Sequence, residues 1–91
     1  MIETLCVGAV VRVRDDRISE TSVSDLFDPE EAAEYARNHR VGPRCDRVIG
    51  RDAGDNLFVV SDGIFYLWDH ESDWLIPLGS DPREFVTRVE S

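Results

Sequence analysis

LFVVSDGIFYLWD, residues 57–69, decides how this chain folds: two apolar stretches meet at Ser61-Asp62-Gly63. Leu57 to Ser61 and Ile64 to Asp69 read as the arms of a hairpin, with Gly63 free to take the positive φ that a tight turn needs. Side chains alternate between the faces of a strand. One face therefore carries Leu57, Val59, Ile64, Tyr66 and Trp68, and the other Phe58, Val60, Phe65 and Leu67. Both sets are apolar, so both faces call for cover. Short helices suit one face and are ill suited to two. Either the sheet curls on itself or a second copy of the chain covers the remainder, as a homodimer would.

Downstream of the hairpin, Glu71 to Asp73 form a turn. Trp74 to Leu78 are apolar but contain Pro77, which fits an edge strand. Ser80-Asp81-Pro82-Arg83-Glu84 has helix-start chemistry, and a last helix is expected over 82–90 with Phe85, Val86 and Val89 buried. Upstream, Asp46 to Gly50 read as a strand and Arg51 to Asn56 as a polar turn. Asp28-Pro29-Glu30-Glu31 is a second helix start: Asp28 as N-cap, Pro29 in the first helical position, Glu31 closing a capping box. That helix runs to about Asn38 with Ala32, Ala33, Tyr35 and Ala36 on its apolar side, and Gly42-Pro43 stop any continuation. Residues 5–14 form a strand in which Val11 and Val13 alternate with Arg12 and Arg14. Asp15-Asp16 would turn the chain, Arg17 to Glu20 would return as a short strand, and 21–27 read as irregular, anchored by Val23, Leu26 and Phe27. The expected fold class is α+β, an antiparallel sheet of about five strands with one or two helices packed against it.

The 91 residues make a single domain over 1–91. A chain of this length buries only about 60% of its unfolded surface, so one core is expected and little more. No apolar run approaches the roughly 18 residues of a membrane span. Met1-Ile2-Glu3-Thr4 lacks the basic start of a signal peptide, which points to the cytoplasm. Cys6 and Cys45 are too few for a disulfide framework and read as reduced core residues.

Formal net charge is −9, from 19 acids against 10 bases, every base being Arg. Residues 52–91 hold nine of the acids and only Arg83 and Arg88. Such a surface repels a phosphate backbone, which excludes nucleic acid as a direct partner. It attracts a basic protein. Asp69-His70-Glu71 is the one cluster that invites metal or acid–base chemistry. In a strand, however, His70 points away from its two neighbours, and no HExxH, CxxC or paired-His spacing supplies further ligands. No metal, no cofactor and no catalytic residue is expected. Trp68 and Trp74 flank the same turn, and Trp gives large contact area at binding hot spots.

In the order of its elements, 45–91 resembles the SUKH superfamily, which contains the yeast cell-wall-assembly regulator Smi/Knr family and many bacterial immunity proteins. Residues 49–60, IGRDAGDNLFVV, look like its strand, Gly/Asp turn and apolar strand. Gly63 to Glu71, GIFYLWDHE, looks like its characteristic "vYxWDHE" strand. Pro77 to Ser80 with Phe85-Val86 is similar to its final segment, and 27–38 to its acidic helix. Typical members begin with one or two helices carrying Leu-Pro and Asn-Gly signatures, whereas this chain starts with a Val-rich strand. The resemblance implies a non-enzymatic protein-binding module, an immunity protein that neutralises a toxin; a basic nuclease toxin would suit the acidic surface. The expected contact residues are Asp62, Trp68, Asp69, His70, Glu71, Asp73 and Trp74. The alternatives are a self-associating structural or regulatory subunit of a larger assembly and, behind it, a small metal-binding hydrolase built on Asp69, His70 and Glu71.

Overall fold

A computed structural model describes residues 5–14 and 19–90. Its elements in chain order are β1 (Ala9–Arg12), β2 (Glu20–Leu26), α1 (Pro29–Asn38), a 3-10 turn (Gly42–Arg44), β3 (Arg47–Asp52), β4 (Leu57–Ser61), β5 (Ile64–Asp69), β6 (Trp74–Gly79), a second 3-10 turn (Pro82–Glu84) and β7 (Val86–Val89). The strands form one sheet in the order β6-β5-β4-β3-β2-β1-β7, each neighbouring pair antiparallel. The fold is α+β as expected, with seven strands rather than about five and one α-helix among the described residues. The expected turn at Asp15-Asp16, the residues Met1 to Thr4, and Arg17 and Ile18 of the expected return strand lie outside the described residues.

The hairpin has the register the sequence sets: Leu57 opposite Trp68, Phe58 opposite Leu67, Val59 opposite Tyr66 and Ser61 opposite Ile64. Asp62 and Gly63 both take positive φ, 51° and 79°, the backbone of a two-residue turn that matches the twist of its strands. Its two faces enter two different cores. Phe58 and Leu67 join Ala9, Val11, Val13, Val23, Ile76, Phe85 and Val86, while Leu57, Val59 and Trp68 join Val41 and Val48.

The first core shows how the second face is covered. Phe85, which leads into β7, packs its ring 5.5 Å from that of Phe65 on β5. These strands lie near opposite ends of the sheet order, so the sheet curls until its ends share one core. Bulges or irregularities interrupt four of the six pairings, between Val10 and Val11, Val23 and Asp25, Val48 and Gly50, and Phe65 and Tyr66. Each such break bends the strand and increases its twist. At Gly50 a Cβ would run into the carbonyl of Asp25, so the close approach of β2 there requires glycine. Curling answers within one chain the demand that a second copy might have met.

The other face is covered by α1. Asp28 caps it as expected: its carboxylate accepts from the Glu31 amide (2.8 Å), and Glu31 Oε1 accepts from the Asp28 amide (3.3 Å). The helix buries no residue completely. Its contribution is Tyr35, which stacks on Phe27 at 4.2 Å, with Ala36 beside it over the second core.

Two expectations are corrected. The last helix over 82–90 is one 3-10 turn followed by a strand. The capping box forms at Asp81 and Glu84, but Phe85 closes the turn by bonding back to Pro82, and Val86 then pairs with Val11. The β-branched Val86, Thr87 and Val89 favour the extended form, and an open edge of β1 is available to take them. Of the expected stripe, Phe85 and Val86 are buried and Val89 is exposed. Residues 21–27, read as irregular, are mostly β2. Only Val23 on that strand is buried, so apolar periodicity could not reveal it; pairing with β1 on one side and β3 on the other holds it extended. The remaining boundaries move by a few residues. Arg51 and Asp52 belong to β3, and β6 is an edge strand with Pro77 in it, as expected. Among the described residues no helix is long and apolar enough to cross a membrane.

Candidate functional site

The β5–β6 turn is held by its own acids. Asp73 N–H donates to Asp69 O (2.8 Å), and Asp69 Oδ1 accepts from the Glu71 amide (3.0 Å). Asp73 takes φ 61°, a left-handed conformation that Asp tolerates better than most residues. That conformation turns its carboxylate back, so Oδ1 accepts both the Trp68 indole N–H (2.7 Å) and Arg44 Nη1 (2.8 Å). Arg44 donates to the Asp73 carbonyl as well (3.1 Å), tying the turn to the 3-10 segment after α1.

A second network lies beneath the neighbouring turn, Ala53 to Asn56. Asp52, 3% exposed, accepts from Thr21 Oγ1 (2.8 Å), the Gly54 and Asn56 amides (2.9 Å each) and Asn56 Nδ2 (3.2 Å). A buried carboxylate is tolerable only with such compensation. Asn56 Oδ1 in turn accepts from the His70 amide (3.2 Å), linking this turn to the β5–β6 turn.

Between α1 and these turns runs a groove of about 470 Å³, lined by Glu34, Tyr35, Asn38, His39, Arg51, Asp55, Leu57 and His70. Tyr35 is sandwiched between Phe27 and His39, whose rings stack on it at 4.2 and 5.3 Å. Arg51 is anchored by Asp25 (2.7 Å) and Asp55 (3.0 Å), and the Asp25 hydrogen bond raises its guanidinium above the ordinary value. Other arginines are likewise paired: Arg44 with Asp73, Arg83 with Asp81, Arg88 with Glu20 and Glu90. Burial, reinforced by the negative charge of Asp46, pushes the Cys45 thiol up and disfavours the thiolate.

The seven expected contact residues separate into three groups. Trp68, 3% exposed, and Asp69, 7% exposed, are built into the scaffold, and the half-buried Asp73 braces them. His70, Glu71 and Trp74 are exposed on the β5–β6 turn and the start of β6, with Trp74 59% exposed. Asp62 is exposed at the far end of β5, where its amide donates to Asp46 Oδ2 (2.8 Å). Six residues of strand, about 20 Å, separate it from the others. Among the described residues no three His, Cys, Asp or Glu side chains are arranged to hold a metal ion.

Sequence reading missed the groove. Its members Glu34, Asn38 and His39 lie on the polar side of a helix end, and Arg51 and Asp55 in a segment that reads as a plain turn. The one available signal was Asp52 with Asn56 four residues on, an acid just inside a strand end beside an amide that can satisfy it. Compared with family models, with curated proteins and with solved structures, the chain has no match.

Proposed function

We propose that this chain is a protein-binding module for a basic partner and, following its resemblance to the SUKH superfamily, that it neutralises a toxin domain. The observation that carries the reading is Trp74: a large aromatic side chain, 59% exposed, in a run of chain that includes His70 and Glu71. A Trp left largely in water contributes little to the core, whereas covering it by a partner removes a large apolar surface. The net charge of −9 selects a basic partner and speeds its approach. The contacts are then His70, Glu71 and Trp74, with Trp68, Asp69 and Asp73 acting behind them as supports. Asp62 is too far along β5 to share a small patch with them. The alternative of a self-associating subunit has lost its chief motive, since the curl of the sheet covers the hairpin's second face.

The test uses the chain as bait in a lysate of its source cells, beside the variant Trp74→Ala. The reading requires a basic protein that salt releases and that the variant binds at least about tenfold more weakly. Expressing the captured protein alone and together with the chain then tests neutralisation: growth arrest relieved by the chain is the expected result. Capture indifferent to Trp74→Ala removes the proposed surface, and arrest that the chain fails to relieve removes the immunity role.

A further inference from the structure

Two histidines line the groove beside α1, and the bonds around them fix which ring nitrogen carries the proton. His39 Nδ1 lies 2.9 Å from the Tyr35 carbonyl. A carbonyl only accepts, so Nδ1 carries the hydrogen and Nε2 of the neutral ring keeps the lone pair. For His70 the assignment passes through Asn56. The His70 amide, which only donates, bonds to Asn56 Oδ1, and Asn56 Nδ2 faces the Asp52 carboxylate, so the orientation of the amide is settled. His70 Nδ1 meets that same oxygen at 2.9 Å and must also donate. Both neutral rings thus keep Nε2 as an acceptor.

The other polar groups of the groove make the same demand. Glu34 and Asp55 bring carboxylates, and Asn38 an amide. Among the described residues the cation lining it is Arg51, which already spends Nε on Asp25 and Nη1 on Asp55. The groove is therefore rich in acceptors and negative in balance, which suits a cation with several donors and disfavours phosphate. A guanidinium has five donors in a rigid plane, whereas an ammonium is a compact point charge.

We infer that this groove takes an arginine side chain of the partner protein, with Nε2 of His39 and of His70 accepting from its guanidinium beside Glu34. The inference rests on the proposal of a basic partner and names the side chain by which that partner is held.

The test is nitrogen-detected NMR of the imidazoles in the full chain, titrated with acetyl-Gly-Arg-Gly-amide, with the same peptide carrying neutral citrulline, and with inorganic phosphate. Expected are two Nδ1–H rings whose Nε2 signals move saturably with the arginine peptide and not with the other probes. The affinity should fall about fivefold or more in His70→Ala and in Glu34→Gln, both at exposed positions, with the rest of the spectrum unchanged. Nε2–H rings, an equal response to citrulline, a response to phosphate or no saturable response would each overturn the inference. A basic protein captured through Trp74 while the arginine peptide leaves the groove silent refutes this inference alone and leaves the proposed function standing. A groove that responds while no basic protein is captured supports the arginine site and removes the toxin partner.

Discussion

The indole N–H of Trp68 and the carboxylate of Asp73 meet at 2.7 Å, five residues apart in the chain, and the same oxygen receives Arg44 at 2.8 Å. Trp68 is otherwise enclosed in apolar company, so Asp73 is what lets so large a ring with one polar atom sit in the core. Asp73→Ala leaves that N–H buried without an acceptor, which costs about 1–3 kcal/mol, and places alanine at positive φ. Asp73→Asn keeps an oxygen and a side chain that tolerates this backbone, so its loss should be less than half as large. Urea unfolding followed by Trp fluorescence measures both.

Asp52 receives four hydrogen bonds, and removing it strands several donors at once. Asp52→Ala should destabilise the fold by at least about 2–3 kcal/mol. Thr21→Val removes one donor without orphaning the rest and should cost about 1 kcal/mol. Equal losses in the two variants would mean that the carboxylate is not the hub of the turn.

Phe85 fills the core enclosed by the curl, against Phe65 and the strands near both ends of the sheet. Phe85→Ala should cost about 3–5 kcal/mol, a large share of the stability of so small a domain. Trp74→Ala should leave the unfolding midpoint within about 0.5 kcal/mol of the parent while weakening partner binding. A Trp74 variant as damaging as the Phe85 one would make Trp74 a structural residue.

Glu84 accepts from the Ser80 hydroxyl (3.0 Å), the Ser80 amide (2.8 Å) and the Asp81 amide (2.8 Å), bonds that hold its carboxyl below the ordinary value. Asp81 is lowered similarly, chiefly by the side chain of Arg83. A carboxyl lowered in the folded state lends stability that is present above its unfolded value and lost as pH falls through the folded one. Glu84→Gln should therefore be less stable than the parent at about pH 6, and the gap should close by about pH 3. Urea midpoints at the two pH values decide this; a gap that persists in acid would mean that charge on Glu84 does not hold the turn.

The hairpin, the α1 start and the edge strand were legible because each rests on local chemistry: alternation at 57–60 and 64–68, Asp28-Pro29 with Glu31, and Pro77 in an apolar run. The end of the chain was not. Asp81 and Glu84 do build a helix start, and nothing nearby reveals that Val86 has a partner in Val11, some seventy positions earlier. β2 was hidden for the related reason that its pairing is remote and only Val23 is buried. The acidic cluster of the β5–β6 turn was legible, but that Asp69 is buried, Asp73 half-buried and Glu71 exposed was not. Whether Asp73 faces solvent or an indole depends on its backbone, and the groove depends on α1 lying across turns that are distant in the sequence.

β1 takes its outer partner from β7: the Thr87 hydroxyl bonds to the Val10 carbonyl across 77 residues, and the amide of Glu90 reaches the carbonyl of Gly8. During synthesis one edge of β1 therefore stays bare until almost everything else described has been made. Such far-apart pairings slow folding and leave the nascent strand open to wrong contacts. A growing chain of this kind completes the sheet beside Val10 and Val11 only once β7 has been made.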